Sequence, residues 1–88
     1  MTYHIHVPTE EELEQLFDEH KAALAAHRQA QLAFEHYEKL ERGQDNWSDA
    51  HHEALLQKRH TRAVALWLGR RLSILRNIRI LYLANMLN

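Results

Sequence analysis

The 88-residue chain contains no cysteine, one proline and only two glycines. Without cysteine it cannot belong to the disulfide-stabilised class of small domains. With so little proline and glycine, few positions force a helix to stop. A chain of this length forms one domain, residues 1–88, and buries only about 60% of the surface that its unfolded form exposes. Such a domain needs help from a metal, a second subunit or a partner protein.

Long hydrophobic runs are also missing. The most apolar segment, residues 63–87, is interrupted by four arginines, and no run of 18 apolar residues occurs. A membrane-spanning helix is therefore not expected. The first residues lack the basic region and apolar stretch of a signal peptide. These features predict a soluble, cytoplasmic protein.

Acidic and basic residues are divided between the two halves of the chain. Residues 1–50 hold eleven Asp or Glu and four Lys or Arg, whereas residues 51–88 hold one acid and seven Lys or Arg. Halves of opposite charge suit two segments that lie against each other. They also leave a basic surface that an acidic partner could use.

The first residues alternate with the period of a β-strand. Tyr3, Ile5 and Val7 share one face of residues 2–7 and are β-favouring types. A single short strand needs a pairing partner, so this segment either pairs with its copy in a second subunit, joins a partner's sheet, or lies extended along a helix.

Two long helices follow. Thr9 and Glu12 form a capping-box pattern, which predicts a first helix over residues 9–42. Gly43 is suited to a helix C-cap, and residues 43–46 are the only turn-like cluster. Asn46 or Ser48 can cap a second helix that covers residues 47–87.

A short turn makes the two helices antiparallel neighbours. Folding the chain about residues 44–45 places His20 opposite Gly69 and Leu24 opposite Ala65. The acidic start of the first helix then lies beside the basic end of the second. The predicted fold class is all-α, a long antiparallel helical hairpin with a short N-terminal strand or extended segment.

The second helix carries more apolar surface than one neighbouring helix can cover, because a facing helix covers a stripe only about 100° wide. We therefore expect hairpins to assemble as a homodimer, forming a four-helix bundle; the alternative is that this surface docks another protein. The outer face of the second helix is expected to carry the partner contact, with Leu68, Leu72, Leu75 and Arg79 at the centre of that face. The full predicted interface is Trp67, Leu68, Arg71, Leu72, Leu75, Ile78, Arg79, Tyr82 and Met86.

Eight histidines are the most unusual part of the composition. His20 and His27 fall on the apolar stripe of the first helix, about 10.5 Å apart along its axis, which is too far for one metal ion. Hydrogen bonding across a seam is the ordinary interpretation. The functional one is a pH-sensitive interface. His4 and His6 form a possible chelating pair, and Asp49 with His52 resembles half of a di-metal repeat.

No nucleophile, acid–base pair or phosphate-binding loop can be assembled from the sequence, so neither enzymatic activity nor a cofactor is predicted. The favoured function is a protein-interaction module that oligomerises through its second helix and inhibits or adapts a larger protein. A phage or mobile-element source is a hypothesis from size alone. One alternative is a nucleic-acid-binding regulator that uses the basic residues of the second helix. A second alternative is a His-rich metal-binding bundle.

Overall fold

The computed structural model describes residues 6–87 and is an antiparallel helical hairpin, as the sequence predicts. Helix α1 spans Glu10–Leu40 and helix α2 spans Asp49–Leu87. The chain measures 64 × 26 × 16 Å, which is close to the length of one long helix and the thickness of a single helical layer.

The N-terminus of α1 is capped as predicted. The Thr9 hydroxyl accepts a hydrogen bond from the Glu12 amide at 3.1 Å, and three glutamates occupy the first turn. The Glu12 carboxylate in turn accepts a hydrogen bond from His6 Nε2 at 2.8 Å. This contact, more than any other, lowers the pKa of Glu12. The cap therefore fixes both the helix and the residues that precede it.

The connection between the helices is longer than predicted. Helix α1 ends at Leu40 instead of near residue 42, and α2 begins at Asp49 instead of residue 47. Glu41 is the C-cap, and Gly43 lies two residues farther on, where its φ of +83° requires glycine. Helix α1 stops early because the Glu41 side chain turns towards the start of α2 and binds there.

The two helices pack along one regular seam. In α1 the buried and half-buried residues recur at alternating intervals of three and four, which is the spacing of a coiled coil. They are Leu13, Leu16, His20, Ala23, His27, Ala30, Phe34 and Tyr37. The same spacing in α2 runs through His51, Ala54, Lys58, Thr61, Ala65, Leu68, Leu72, Leu75 and Arg79. We refer to these two sets as the seam.

The register of the seam agrees with the predicted pairing. The His20 ring lies against Gly69, so that a Cβ added to the glycine would be 3.0 Å from Nε2. About two turns farther along α1, His27 Nδ1 is 3.2 Å from the Thr61 hydroxyl. The acidic start of α1 thus lies beside the arginine-rich part of α2.

The apolar core is small and lies near the N-terminus of α1. Leu16, Leu68 and Leu72 are each less than 9% exposed and form its centre, with Leu13 and Leu75 packed around them. Leu68, Leu72 and Leu75 were expected on the outer face of α2, and that expectation is wrong. They face α1, because they occupy seam positions opposite its leucines.

Residues 6–9, which precede α1, lie along the end of α2. Val7 lines a small cleft with Ile78 and Tyr82, and Pro8 is fully buried. Of the predicted strand, Tyr3 and Ile5 lie outside the described residues, and Val7 is not in a strand. No strand occurs within residues 6–87. For Val7, the extended segment along a helix is the alternative that the structure supports.

Candidate interaction surfaces

At the closed end of the hairpin, one carboxylate joins the two helices. Glu41 accepts hydrogen bonds from the Ser48 amide at 2.6 Å and from the Ser48 hydroxyl at 2.7 Å. The same hydroxyl accepts a hydrogen bond from the His51 amide at 3.2 Å, so Ser48 is the N-cap of α2. These bonds to Ser48 are the main reason why the pKa of Glu41 is lowered, and nearby His51 contributes further.

Around this carboxylate, three aromatic side chains enclose a buried histidine. The ring of His51 is only 1% exposed and stacks on Trp47, with 3.7 Å between ring centroids and 13° between ring planes. Phe34 and Tyr37 of α1 pack on it from the other helix. Both ring nitrogens of His51 lack a hydrogen-bond partner, although Nδ1 is 3.5 Å from the Glu41 carboxylate. The sequence did not predict this cluster, which closes the turn.

The lowered pKa of Glu41 makes the stability of the turn dependent on acid. Its ionised form is stabilised in the folded chain, so this stabilisation is present above the ordinary value of about 4.5 and is lost as pH falls through the lower folded pKa. Below about pH 4.5, Glu41→Gln is therefore expected to weaken the acid-induced fall in melting temperature. Circular dichroism melts measured between pH 3 and pH 7 test this. An exposed glutamate, changed as Glu38→Gln, is the control, and equal pH profiles of Glu41→Gln and wild type would contradict the expectation.

Along one side of the seam lies an open groove, which we call the basic groove. It encloses about 450 Å³ and is lined by His20, Leu24, His27, Arg62, Ala65, Leu66, Gly69 and Arg70. It contains both histidines of the predicted pH-sensitive seam, each of them half-buried. The absence of a side chain at Gly69 leaves space for the His20 ring, which lies against the glycine.

The hydrogen bonding of His27 can be assigned from its neighbours. The Thr61 hydroxyl has one proton, which it donates to the carbonyl of Gln57 at 2.9 Å, with Lys58 O at 3.1 Å as a second acceptor. His27 Nδ1 must therefore be the donor to the Thr61 oxygen. This leaves Nε2 of His27 as the ring nitrogen that can bind a partner.

On the opposite side of the hairpin, α2 carries a second apolar stripe, which we call the Trp67 face. Trp67, Ile74 and Leu81 are 60%, 59% and 65% exposed. Arg71 lies over the Trp67 ring at 5.6 Å from its centroid, a cation–π contact. The whole face comprises Val64, Trp67, Arg71, Ile74, Ile78 and Leu81. Beside it on α1 is an alanine stripe of exposed Ala22, Ala26 and Ala33.

The nine residues of the predicted interface are distributed over different surroundings. Trp67, Arg71, Tyr82 and Met86 are exposed, and Ile78 is half-buried. Arg79 is held within the hairpin: its guanidinium donates to the Pro8 carbonyl at 2.9 Å and lies 3.5 Å from the Glu10 carboxylate. Arg79 thus secures the segment before α1, and a partner contact at its position was the wrong expectation.

The histidines do not assemble with acids into a metal site in the part of the chain that is described. Within residues 6–87 no three His, Asp or Glu side chains are grouped as ligands. His6 is engaged with Glu12, and His4, the other member of the predicted chelating pair, lies outside the described residues. Neither described helix has a segment apolar enough to cross a membrane.

The two open surfaces, the basic groove and the Trp67 face, are therefore the candidate functional sites. They lie on different sides of one thin hairpin, and Arg70, which lines the groove, also lines a depression beside Trp67 and Ile74. Neither can be assigned through a relative, since no protein-family model, curated protein or solved structure matches this chain.

Proposed function

We propose that this chain is a protein-interaction module that works as a homodimer, with the Trp67 face at the dimer interface and a second protein bound elsewhere on the hairpin. It acts by binding and modulating that protein and not as an enzyme. The observation that carries the proposal is the Trp67 face itself, a row of large apolar side chains that α1 leaves uncovered. An apolar patch of this kind is typical of a protein–protein contact.

The surface area supports assembly. A compact globular protein of 10.5 kDa exposes about 5,400 Å². This hairpin exposes 7491 Å². The excess of roughly 2,000 Å² is larger than the about 800 Å² that each partner contributes to a standard interface. A dimer interface of standard size would therefore remove less than half of this excess.

The position of the Trp67 face supports a four-helix arrangement. Trp67 and Ile74 precede the seam residues Leu68 and Leu75 by one position. Because successive residues of an α-helix are about 100° apart, the Trp67 face lies about 100° around α2 from the seam. In a square bundle each helix has two neighbours about 90° apart, so the seam and the Trp67 face match the two contacts that such a bundle demands.

The alanine stripe supports a specific dimer. If the two-fold axis of the dimer runs parallel to the helices, α2 of one hairpin packs antiparallel against α1 of the other. Such an axis keeps each residue at the same height, so the pairing of residues between subunits follows the pairing within one hairpin. Trp67 then faces Ala22 and Ala26 of the partner subunit. A large side chain against small ones gives close packing, as interdigitated cores require.

The test is a matched pair of substitutions on α2. Ile74 is 59% exposed on the Trp67 face, and Ile80 is 62% exposed on the other side of the same helix. Wild type and Ile80→Arg are expected to be dimers, and Ile74→Arg a monomer, because it places charge in an apolar contact. Sedimentation-velocity centrifugation measures the mass, and circular dichroism checks that helicity is kept.

Three results would contradict this proposal. A monomeric wild type at high protein concentration would remove the dimer. A dimeric Ile74→Arg would move the interface away from the Trp67 face. Equal dissociation of Ile74→Arg and Ile80→Arg would show that charge anywhere on α2 is disruptive. Ala26→Gln, which keeps helix propensity but fills the alanine stripe, gives an independent check and is expected to weaken the dimer.

A further inference from the structure

We infer that the basic groove binds an acidic amphipathic helix supplied by the partner protein. This inference rests on the proposed function, since it names the chemistry of the partner. The occupant is an α-helix with one apolar row flanked by Asp and Glu. Three features of the groove carry the inference: its shape, its charge and the order in which apolar and basic residues alternate.

The shape of the groove suits a helix. It runs between α1 and α2 and has an apolar floor, to which Leu24 contributes from α1 and Leu66 from α2. A second depression continues it along the seam, with Phe17 on one side and Ile80 on the other. From Arg62 to Ile80 the groove follows α2 for about 27 Å, the length of about 18 helical residues. A third helix laid between two others in this way uses helix-in-groove recognition.

The charge of the groove is of one sign. No acidic residue occurs in α1 between Glu19 and Glu35, or in α2 after Glu53. Arg62 and Arg70 line the groove, and Arg76 lines its continuation. None of these three arginines has a carboxylate within 4 Å among residues 6–87. They are cations that the hairpin does not neutralise, unlike Arg79.

Basic residues border the apolar floor on both helices. Lys21 and Arg28 precede and follow Leu24 by one turn of α1, and both are exposed. Arg62 and Arg70 do the same for Leu66 on α2. A helix whose apolar row enters the floor would thus present carboxylates to cations on both sides. The complementarity gives orientation and specificity as well as attraction.

The apolar floor favours a protein helix over a nucleic acid as the molecule that binds the groove. A protein recognises a phosphate backbone through cations and hydrogen-bond donors, and it recognises bases through polar contacts or stacking on aromatic side chains. Leu24 and Leu66 supply neither, and they lie between the cations, where a backbone would have to cross them. An apolar row on a protein helix gives these leucines a partner.

The experiment uses the whole chain and three fluorescent probes. The first is an acidic amphipathic peptide of about 18 residues, with leucines at intervals of three and four and glutamates beside them. The second has the same composition in scrambled order, and the third is a single-stranded oligonucleotide of equal net charge. We expect the first peptide to bind at least about tenfold more tightly than the scrambled peptide or the oligonucleotide. Fluorescence anisotropy measures the affinities.

Variants separate the charge contribution from the apolar one. Arg62→Glu with Arg70→Glu is expected to lower peptide affinity by about tenfold or more. The control, Arg42→Glu, makes a charge reversal near the turn and is expected to have little effect. The double variant Leu24→Ala with Leu66→Ala should lower the affinity for the amphipathic peptide and leave the affinity for the scrambled peptide unchanged.

The outcomes are distinguishable from those of the dimer test. Equal binding of the two peptides, tighter binding of the oligonucleotide, or no effect of the groove variants would overturn the inference. So would a change of oligomeric state in the Arg62 and Arg70 variant, which would make the groove a subunit interface. If Ile74→Arg is a monomer that still binds the peptide, the groove acts independently of the dimer. If wild type is a monomer that binds it, the proposed dimer fails and the groove stands.

Discussion

Leu72→Ala is expected to lower the free energy of unfolding by about 3 kcal/mol, the usual cost of emptying a leucine-sized space in a core. Leu72 is 5% exposed and packs with Leu16 and Leu68 in the only cluster of buried leucines that the described chain contains. Because the core is small, few neighbouring side chains can close the cavity. The loss corresponds to a fall in melting temperature of roughly 12–24 °C for a domain of this size.

Leu66→Ala is the matched control for this substitution. It makes the same chemical change on the same helix, but Leu66 is 52% exposed in the basic groove. Its cost is expected to stay within about 0.5 kcal/mol. Urea unfolding at one fixed protein concentration compares the two, since the stability of a dimer depends on concentration. If both variants lose a similar free energy of unfolding, Leu72 is not a core residue of the seam, and the expectation is wrong.

The pair Leu66 and Leu72 also shows where the sequence could not decide. Caps and turn residues predicted two helices, and the position of the turn predicted the register, which the contact of His20 with Gly69 confirms. The predicted outer face was wrong because α2 has apolar residues in several stripes. Periodicity shows that stripes exist, but only the contact with α1 selects the one that faces inward.

In α1, by contrast, the seam includes two histidines that the sequence already placed on the apolar stripe. His20 and His27 occupy seam positions, whereas Phe17 and Leu24, which are apolar, are 45% and 48% exposed. A strict interval of three and four keeps both histidines and leaves out Phe17 and Leu24, so it separates the seam from the apolar positions beside it. The same count places His51 on the seam of α2.

His51→Ala is expected to lower the free energy of unfolding by about 2 kcal/mol. Removing a fully buried aromatic ring costs about 3–5 kcal/mol for phenylalanine. For His51 the loss is smaller, because two ring nitrogens that lack partners are removed with it. The adjacent His52 is exposed, so His52→Ala should cost no more than about 0.5 kcal/mol. Thermal and urea unfolding of the two alanine variants measure the difference.

The variant His51→Phe shows what the buried ring contributes. If His51 acts by stacking on Trp47, phenylalanine keeps the ring and removes the unpartnered nitrogens, and the variant is expected to be at least as stable as wild type at pH 7. If His51 acts instead through its contact with Glu41, whose carboxylate is 3.5 Å from Nδ1, the His51→Phe variant is less stable than wild type. The stacking distance of 3.7 Å and the two unpartnered nitrogens favour the first result, so packing of the ring closes the turn, and Ser48 supplies the hydrogen bonds that Glu41 accepts.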